Sequence, residues 1–491
     1  MEAHLIGSVP ERHTAGVAEN QTSEQGSASD EPTVIILYGG TGDLAKRLVL
    51  PAFWELYTRG LLPKRWKLVG NGRGDVSHLD FQQHIFDALS EFATPPEAEA
   101  WKGFAPNVLF AGGGFTHDDP GSLLDVIREA EDDLGEDRRI IHYLAIPPSA
   151  FEKTTRAIKA HDLGPGSKAV YEKPFGVSLD SFHELDELVH SVFDEEQVYR
   201  IDHFLGKEAT QNLHLVRFSN RLFNDTWSAE HLAQVQIDVP ETLDIAERAG
   251  FYDETGASLD MLVTHLFQVA AQVAMEPPLS MAAEDLQDAR ESVIAAFRPL
   301  DPSEVVLGQY RSYRATEGVP DDSDTDTFVA ARLWIDTDRW QGVPFLLRTG
   351  KMMATSAQRV SLIFKPTDGP VHSGGASTNA LIFDLKGNGA IEIQMTVKKP
   401  GPEPLPAESC STLHLENVSA GSMTAYTSLI YDVFAGDRSL FTSSAGLEAA
   451  FQAFAPLLDE RRPEIQPYDD GSWGPAAADA LTGDVGWLLG S

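Results

Sequence analysis

The stretch "TVIILYGGTGDLAKR", Thr33 to Arg47, decides the fold. Its first six residues are a continuous β-branched and apolar run. Such a run suits a parallel strand buried on both faces. Gly39, Gly40 and Gly42 follow at once, and a helix-like pattern then runs from about Asp43 to Arg59. Glycines here let backbone approach a ligand with no Cβ in the way. The free N–H groups and dipole of the helix start favour an anion. The context fits a dinucleotide pyrophosphate, held by Gly39, Gly40, Thr41, Gly42, Asp43 and Leu44. The spacing is not G-x-G-x-x-G, so a glycine-rich turn without a ligand stays open as a reading.

Working outward, "WKLVGNGR" (66–73) reads as a second strand ending in turn residues, and "RRIIHYLAIPP" (138–148) and "KAVYEKPFG" (168–176) as two more. Helical segments lie between them, so the first part is expected to be a doubly wound α/β domain. An acid at the end of the second strand would bond the ribose 2′-hydroxyl of NAD. Arg73 stands there instead, and a guanidinium suits a 2′-phosphate. NADP is therefore the expected cofactor. Asp75 close by keeps NAD possible, and a plain surface arginine is the alternative for Arg73.

Beyond about residue 205 the pattern changes. In "AQVQIDV" (233–239), Val235, Ile237 and Val239 alternate with polar residues, and "RVSLIFK" (359–365) and "LIFDLKGNGAIEIQMTVK" (381–398) do much the same. Period-two alternation predicts strands with one covered face, mostly antiparallel. The expected organisation is a disordered tail over 1–31, rich in Ser, Glu and Gly, a dinucleotide-binding domain over 32–202, and an α+β domain with a large mainly antiparallel sheet over 203–491. "PDDSDTDT" (320–327) reads as an acidic loop, and the proline-rich "KPGPEPLPAES" (399–409) as irregular.

Composition narrows the partners. There are 74 acids against 38 bases, a net charge of −36. That balance repels nucleic acid and anionic membrane surfaces, so neither is expected as a partner. No apolar run reaches the length of a membrane span. Cys410 is the single cysteine, which excludes an internal disulfide and points to a reducing, cytoplasmic setting. It reads as a structural thiol. No cysteine or histidine grouping stands out as a metal site; His231, His372 and His414 are scattered.

"GGTGDLAKR", "YEKPFG", "RIDHFLGKE" (200–208) and "RTGK" (348–351) occur in that order, and the set closely resembles the glucose-6-phosphate dehydrogenase family. "ERAGFYDETGASLDM" (247–261) and "YDDGSWGP" (468–475) extend the likeness over most of residues 33–475. The resemblance implies a Rossmann-like nucleotide domain and oxidation of β-D-glucose 6-phosphate at C1 by NADP, in the pentose phosphate pathway. It implies His265 as the base and Asp202 as the carboxylate that holds it. A carboxylate there would orient the ring and stabilise imidazolium as it forms. His203 and Lys207 would take the phosphate, on one face if the segment is helical. Lys173 would lie between sugar and nicotinamide, with Pro174 fixing the turn. Glu241, Asp260 and Lys351 would bind the sugar. A homodimer or homotetramer joined through the second domain's sheet is also implied.

Three departures from the family pattern cluster at the anion end. Leu48 follows "AKR" where Lys is common, Phe204 stands where Tyr is common, and Ser356 stands near a further basic position, with Arg359 slightly later. A hydrogen bond to a charged group contributes about 1.5–3 kcal/mol. Two or three such losses raise two alternatives: the same chemistry on another or non-phosphorylated hexose, or an idle sugar- or nucleotide-binding homologue.

Overall fold

The structure is a computed structural model, and it describes residues 31–245, 249–367, 379–387, 389–415, 421–459 and 461–490. The predicted tail therefore lies outside the described residues except Glu31, as do His372 and Asn388 of the Gly-Asn-Gly turn.

Six strands form the first sheet: β1 (Thr33–Tyr38), β2 (Trp66–Asn71), β3 (Val108–Ala111), β4 (Arg139–Leu144), β5 (Lys168–Tyr171) and β6 (Val198–Arg200). Their order is β3-β2-β1-β4-β5-β6, and every pairing is parallel. β1 is buried throughout, as its composition predicts. Ile35 and Leu37 join the core that holds the helix Leu50–Thr58, while Val34, Ile36 and Tyr38 join the core on the other face, with the helix Leu123–Leu134. The strand order reverses between β1 and β4, and in open α/β sheets the crevice at such a point takes the ligand.

The second sheet has nine strands: β7 (Leu232–Pro240), β8 (Val305–Tyr310), β9 (Phe328–Leu333), β10 (Phe345–Gly350), β11 (Arg359–Phe364), β12 (Ala380–Asp384), β13 (Ala390–Lys398), β14 (Pro406–His414) and β15 (Ile465–Tyr468). Their order is β14-β13-β12-β11-β7-β10-β9-β8-β15. β7 runs parallel to β10 and β15 parallel to β8; the other pairings are antiparallel.

Three expectations need correcting here, and the acidic loop gains a buried residue. The polar residues of "AQVQIDV" do not face water: Gln234, Gln236 and Asp238 are all buried. The chain's end covers Gln236. Gln236 bonds Gly486 O at 2.7 Å and Leu488 N–H at 2.8 Å, and Asp238 pairs with Arg348 at 2.5 Å. Alternation marks a polar face but does not say whether later chain will cover and satisfy it. The proline-rich segment is partly regular, because residues 406–409 begin β14 and pair with β13. Its prolines cluster before and at the strand's first position, where a missing N–H costs least. The acidic loop 320–327 is irregular but not wholly solvated: Asp326 is buried, bonding Ser258 and Arg462. Cys410 is exposed on β14, not a core thiol.

One helix, Ala425–Ala435, returns from the second sheet to the first domain. Tyr426, Leu429, Ile430, Val433 and Phe434 enter the same core as Phe53, whose ring meets Phe434 edge-on at 6.0 Å. This return places Tyr426 beside the site described next. No described helix is long and apolar enough to cross a membrane.

Candidate active site

The glycine turn is built for close approach. Gly39 has φ +75°, and a Cβ on it would sit 2.4 Å from Ala145 O. On Gly40 a Cβ would meet Gly70 Cα at 3.1 Å, and on Gly42 it would meet Gly39 O at 3.0 Å. Gly39 and Gly40 donate to Asn71 O at 2.9 and 3.2 Å, which clamps the turn onto the end of β2. The first helical bond follows, from Lys46 N–H to Gly42 O at 3.0 Å. Asp43 pairs with Arg47 at 2.6 Å, and half-buried Leu44 packs onto the core. Thr41 Oγ1 lies 3.7 Å from where a Gly72 Cβ would be, on the same lip as Arg73. Arg73 is exposed and has neither hydrogen bond nor ion pair among the described residues.

A cluster of titratable side chains gathers at strand ends. β5 and β6 run parallel with Tyr171 opposite Arg200, so the loops carrying Lys173 and Asp202 leave the sheet side by side. Lys173–Pro174 is a cis peptide. His265 comes from a wide helical turn, Ser258–Leu266, whose Leu259, Leu262 and Leu266 are buried. Such widened turns recur at functional sites. His265 is itself 0% exposed. Its Nδ1 is 2.7 Å from Asp202 Oδ1, and its Nε2 accepts from Lys173 Nζ at 2.6 Å. Lys173 also donates to Asp260 Oδ1 at 3.0 Å. β7 and β10 are parallel with Pro240 opposite Gly350, which sets Glu241 beside Lys351; the two form an ion pair.

Electrostatics follow from burial. Burial, then repulsion from Lys173 and Lys207, holds the His265 imidazole well below its usual pKa, against the pull of Asp260. The ring is thus neutral at pH 7, with Nδ1–H given to Asp202 and the Nε2 lone pair accepting from Lys173. Burial raises the Asp202 carboxyl, opposed by His203 and the Phe204 N–H. Burial also works against Asp260, but Lys173, His265 and Lys351 together hold it at about 2. Ligand-type atoms of Asp202, His203 and His265 lie within 4.8 Å of one another, a grouping hidden in the sequence because 63 residues separate Asp202 from His265. Two of those atoms bond each other.

At the far end, residues 202–207 form consecutive turns and the helix starts only at Glu208, so a shared helix face does not bring His203 and Lys207 together. Turns do: Leu205 N–H bonds Asp202 O at 3.1 Å and Lys207 N–H bonds Phe204 O at 3.4 Å. The Phe204 ring, 2% exposed, stacks on His265 with centroids 4.6 Å apart and carries Lys207 Nζ 3.7 Å from its own centroid. Lys207 donates to Gln358 Oε1. His203 meets His265 edge-on at 4.5 Å and faces Tyr426 at 6.4 Å. Burial and the neighbouring His265 lower the His203 pKa, and burial brings Lys207 down to about 8.

Two family models match the chain: glucose-6-phosphate dehydrogenase, NAD binding domain, over residues 36–212, and glucose-6-phosphate dehydrogenase, C-terminal domain, over 214–487. The cytoplasmic glucose-6-phosphate 1-dehydrogenase 5 of Arabidopsis thaliana is 36% identical over 489 residues, covering 96% of this chain and 93% of that protein. The chain belongs to the glucose-6-phosphate dehydrogenase family. The glucose-6-phosphate 1-dehydrogenase of Rhizobium meliloti is 34% identical, covering 92% of this chain and 96% of its own. A solved glucose-6-phosphate dehydrogenase in complex with glucose 6-phosphate superposes with a TM-score of 0.86 at 29% identity, covering 94% and 99% of the two chains.

Against the family pattern, the three departures separate. Leu48 is an exposed helix residue. Ser356 Oγ accepts Thr242 N–H at 2.9 Å, so it braces the segment next to Glu241. Arg359 is committed to Glu392 at 2.8 Å. Gln358, not Arg359, reaches Lys207, and a search for cations passes over an amide. Tyr426 was missed as well, since only the returning helix brings it here. Glu172 accepts from Tyr143 at 2.8 Å and from Tyr426 at 3.3 Å.

Proposed function

We infer that this chain oxidises β-D-glucose 6-phosphate at C1 to 6-phosphoglucono-lactone with NADP as the acceptor. The observation that carries this reading is the Asp202–His265–Lys173–Asp260 chain of hydrogen bonds, with Lys207 and His203 beyond it. His265 Nε2 is the group that takes the C1 hydroxyl proton. Asp202 fixes the tautomer and compensates the imidazolium as it forms. Removing that proton lets the C1–H bond break as hydride and the C1–O bond become a carbonyl. NADP, when bound, supplies the hydride acceptor. The glycine turn that a Cβ would fill suits its pyrophosphate, and unpaired Arg73 with Thr41 suits the 2′-phosphate.

Lys173 does two jobs in turn. With no sugar it neutralises Asp260 and occupies His265 Nε2. Sugar hydroxyls would take over those contacts and those of the Glu241–Lys351 pair. Exchanging several fixed polar contacts at once is how such a site selects a hexose. Lys207, held by the Phe204 face and Gln358, would turn to the phosphate with His203.

A homodimer or homotetramer is part of the same reading. β14 is an edge strand, and Met395, Val397 and Leu413 stand exposed on β13 and β14. An uncovered edge with apolar residues invites pairing with a second copy. The Arabidopsis relative named above is a cytoplasmic form, and the cytoplasm is the compartment proposed here.

The test is a matrix of initial rates, NADP and NAD against glucose 6-phosphate, free glucose and two other hexoses. Preference for NADP with glucose 6-phosphate, abolished in His265→Ala, is expected. Turnover of free glucose as efficient as that of the ester would overturn the substrate assignment.

A further inference from the structure

One buried carboxylate at the site has no place in the chemistry above. Glu172 is 6% exposed and forms no ion pair among the described residues. It accepts two phenol hydroxyls instead, from Tyr143 on β4 and from Tyr426 on the returning helix. Those two tyrosines belong to distant parts of the chain, so Glu172 is the joint between them. It directly precedes Lys173, which touches both Asp260 and His265. Tyr426 in turn lays its ring against His203, with the planes 18° apart. The carboxylate therefore reaches the base end through the backbone and the anion end through a ring.

We propose that Glu172 is a positioning residue for the reaction: by accepting both phenols it sets the Lys173 loop and seats Tyr426 behind His203 in one arrangement. This rests on the function inferred above and deepens it. Only an ionised carboxylate can accept from both hydroxyls without offering a proton of its own. Protonation would force one phenol to give up its donor role, and the two ends would lose their common brace. The titratable groups that face the carboxylate among the described residues are Tyr143 from β4, Tyr426 from the helix and Lys173 from its own loop. Burial outweighs all three and lifts the Glu172 carboxyl to about 7, so this brace changes state near neutral pH. His265 is held well below its usual range, so its own titration lies on the acid side of that limb.

The experiment compares wild type, Glu172→Gln and Tyr426→Phe with glucose 6-phosphate and NADP from pH 5.5 to 9, alongside thermal melting. Wild-type turnover is established first; if there is none, the functional reading fails and not this one. Glu172→Gln should lower kcat/KM about tenfold at pH 8 and erase the limb near neutral pH. Tyr426→Phe keeps the ring and removes one donor. It should raise KM for glucose 6-phosphate about threefold while leaving KM for NADP unchanged. A Glu172→Gln enzyme with the wild-type limb and rate would overturn the proposal. If that variant does not fold, Tyr426→Phe decides: a wild-type KM for the sugar ester overturns it.

Discussion

The two ends of the site solve their problems in opposite ways. The cradle at Gly39–Gly42 is backbone shape, and Arg73 beside it stands exposed and unpaired among the described residues. The sugar end is all side chain, and each lysine there is already engaged: Lys173 with Asp260, Lys351 with Glu241, Lys207 with Gln358. The nucleotide end is thus ready for a ligand as it stands, while the sugar end must exchange internal contacts for ligand contacts. An exchange costs little affinity only if the new contacts are as good as the old. That makes the sugar end the more selective of the two, and the more sensitive to single changes.

The largest effect is expected at His265, the proposed proton acceptor. His265→Asn keeps a polar group of similar reach but cannot take the proton, and kcat should fall by about 10³-fold with little change in NADP binding. Steady-state rates and NADP fluorescence titration separate the two. Asp202→Asn should cost about 10²-fold, because the amide leaves the ring's tautomer unfixed and the imidazolium uncompensated. Asp202 Oδ2 is buried with no partner among the described residues, so an added amide N–H there would go unsatisfied and thermal stability should also drop. If Asp202→Asn proved harmless while His265→Asn was not, the carboxylate would be reduced to a packing role.

The same contrast explains what could be read from the chain. The cradle was legible because its strand, glycines and helix are consecutive, and local chemistry dictates them. The place of Arg73 beside the cradle was legible because the second strand's end is a fixed place in this fold. The roles of Asp202 and His265 came through resemblance; by pattern alone His265 is one more buried residue in the stripe Leu259, Leu262, Leu266. Gln358 and Tyr426 were not legible. Each reaches the site across long separations, 151 residues between Lys207 and Gln358 and 254 between Glu172 and Tyr426, and no periodicity encodes such a meeting. The covered face of β7 escaped for the same reason, since its lid is the end of the chain.

At the nucleotide end a single contact should matter by a middling amount. Arg73→Ala removes the exposed guanidinium and no internal bond. KM for NADP should rise about tenfold and KM for NAD should stay put, with no change in melting temperature. Equal loss for both cofactors would mean that Arg73 shapes the loop and does not read the 2′-phosphate.

Phe204→Tyr is the smallest and most pointed change. Phe204 serves the sugar end without a polar atom: one face stacks on His265 and the ring holds Lys207 by a cation–π contact. Such a contact stabilises by about 0.5–2 kcal/mol. A tyrosine ring keeps both interactions and adds a hydroxyl. The chain already holds its lysine there and loses only one donor to the phosphate. KM for glucose 6-phosphate should therefore fall by about threefold, with kcat unchanged and free glucose unaffected. A fall of a hundredfold would show that the phosphate end of the present enzyme is defective. No change at all would show that the ring, and not the hydroxyl, is what this position supplies.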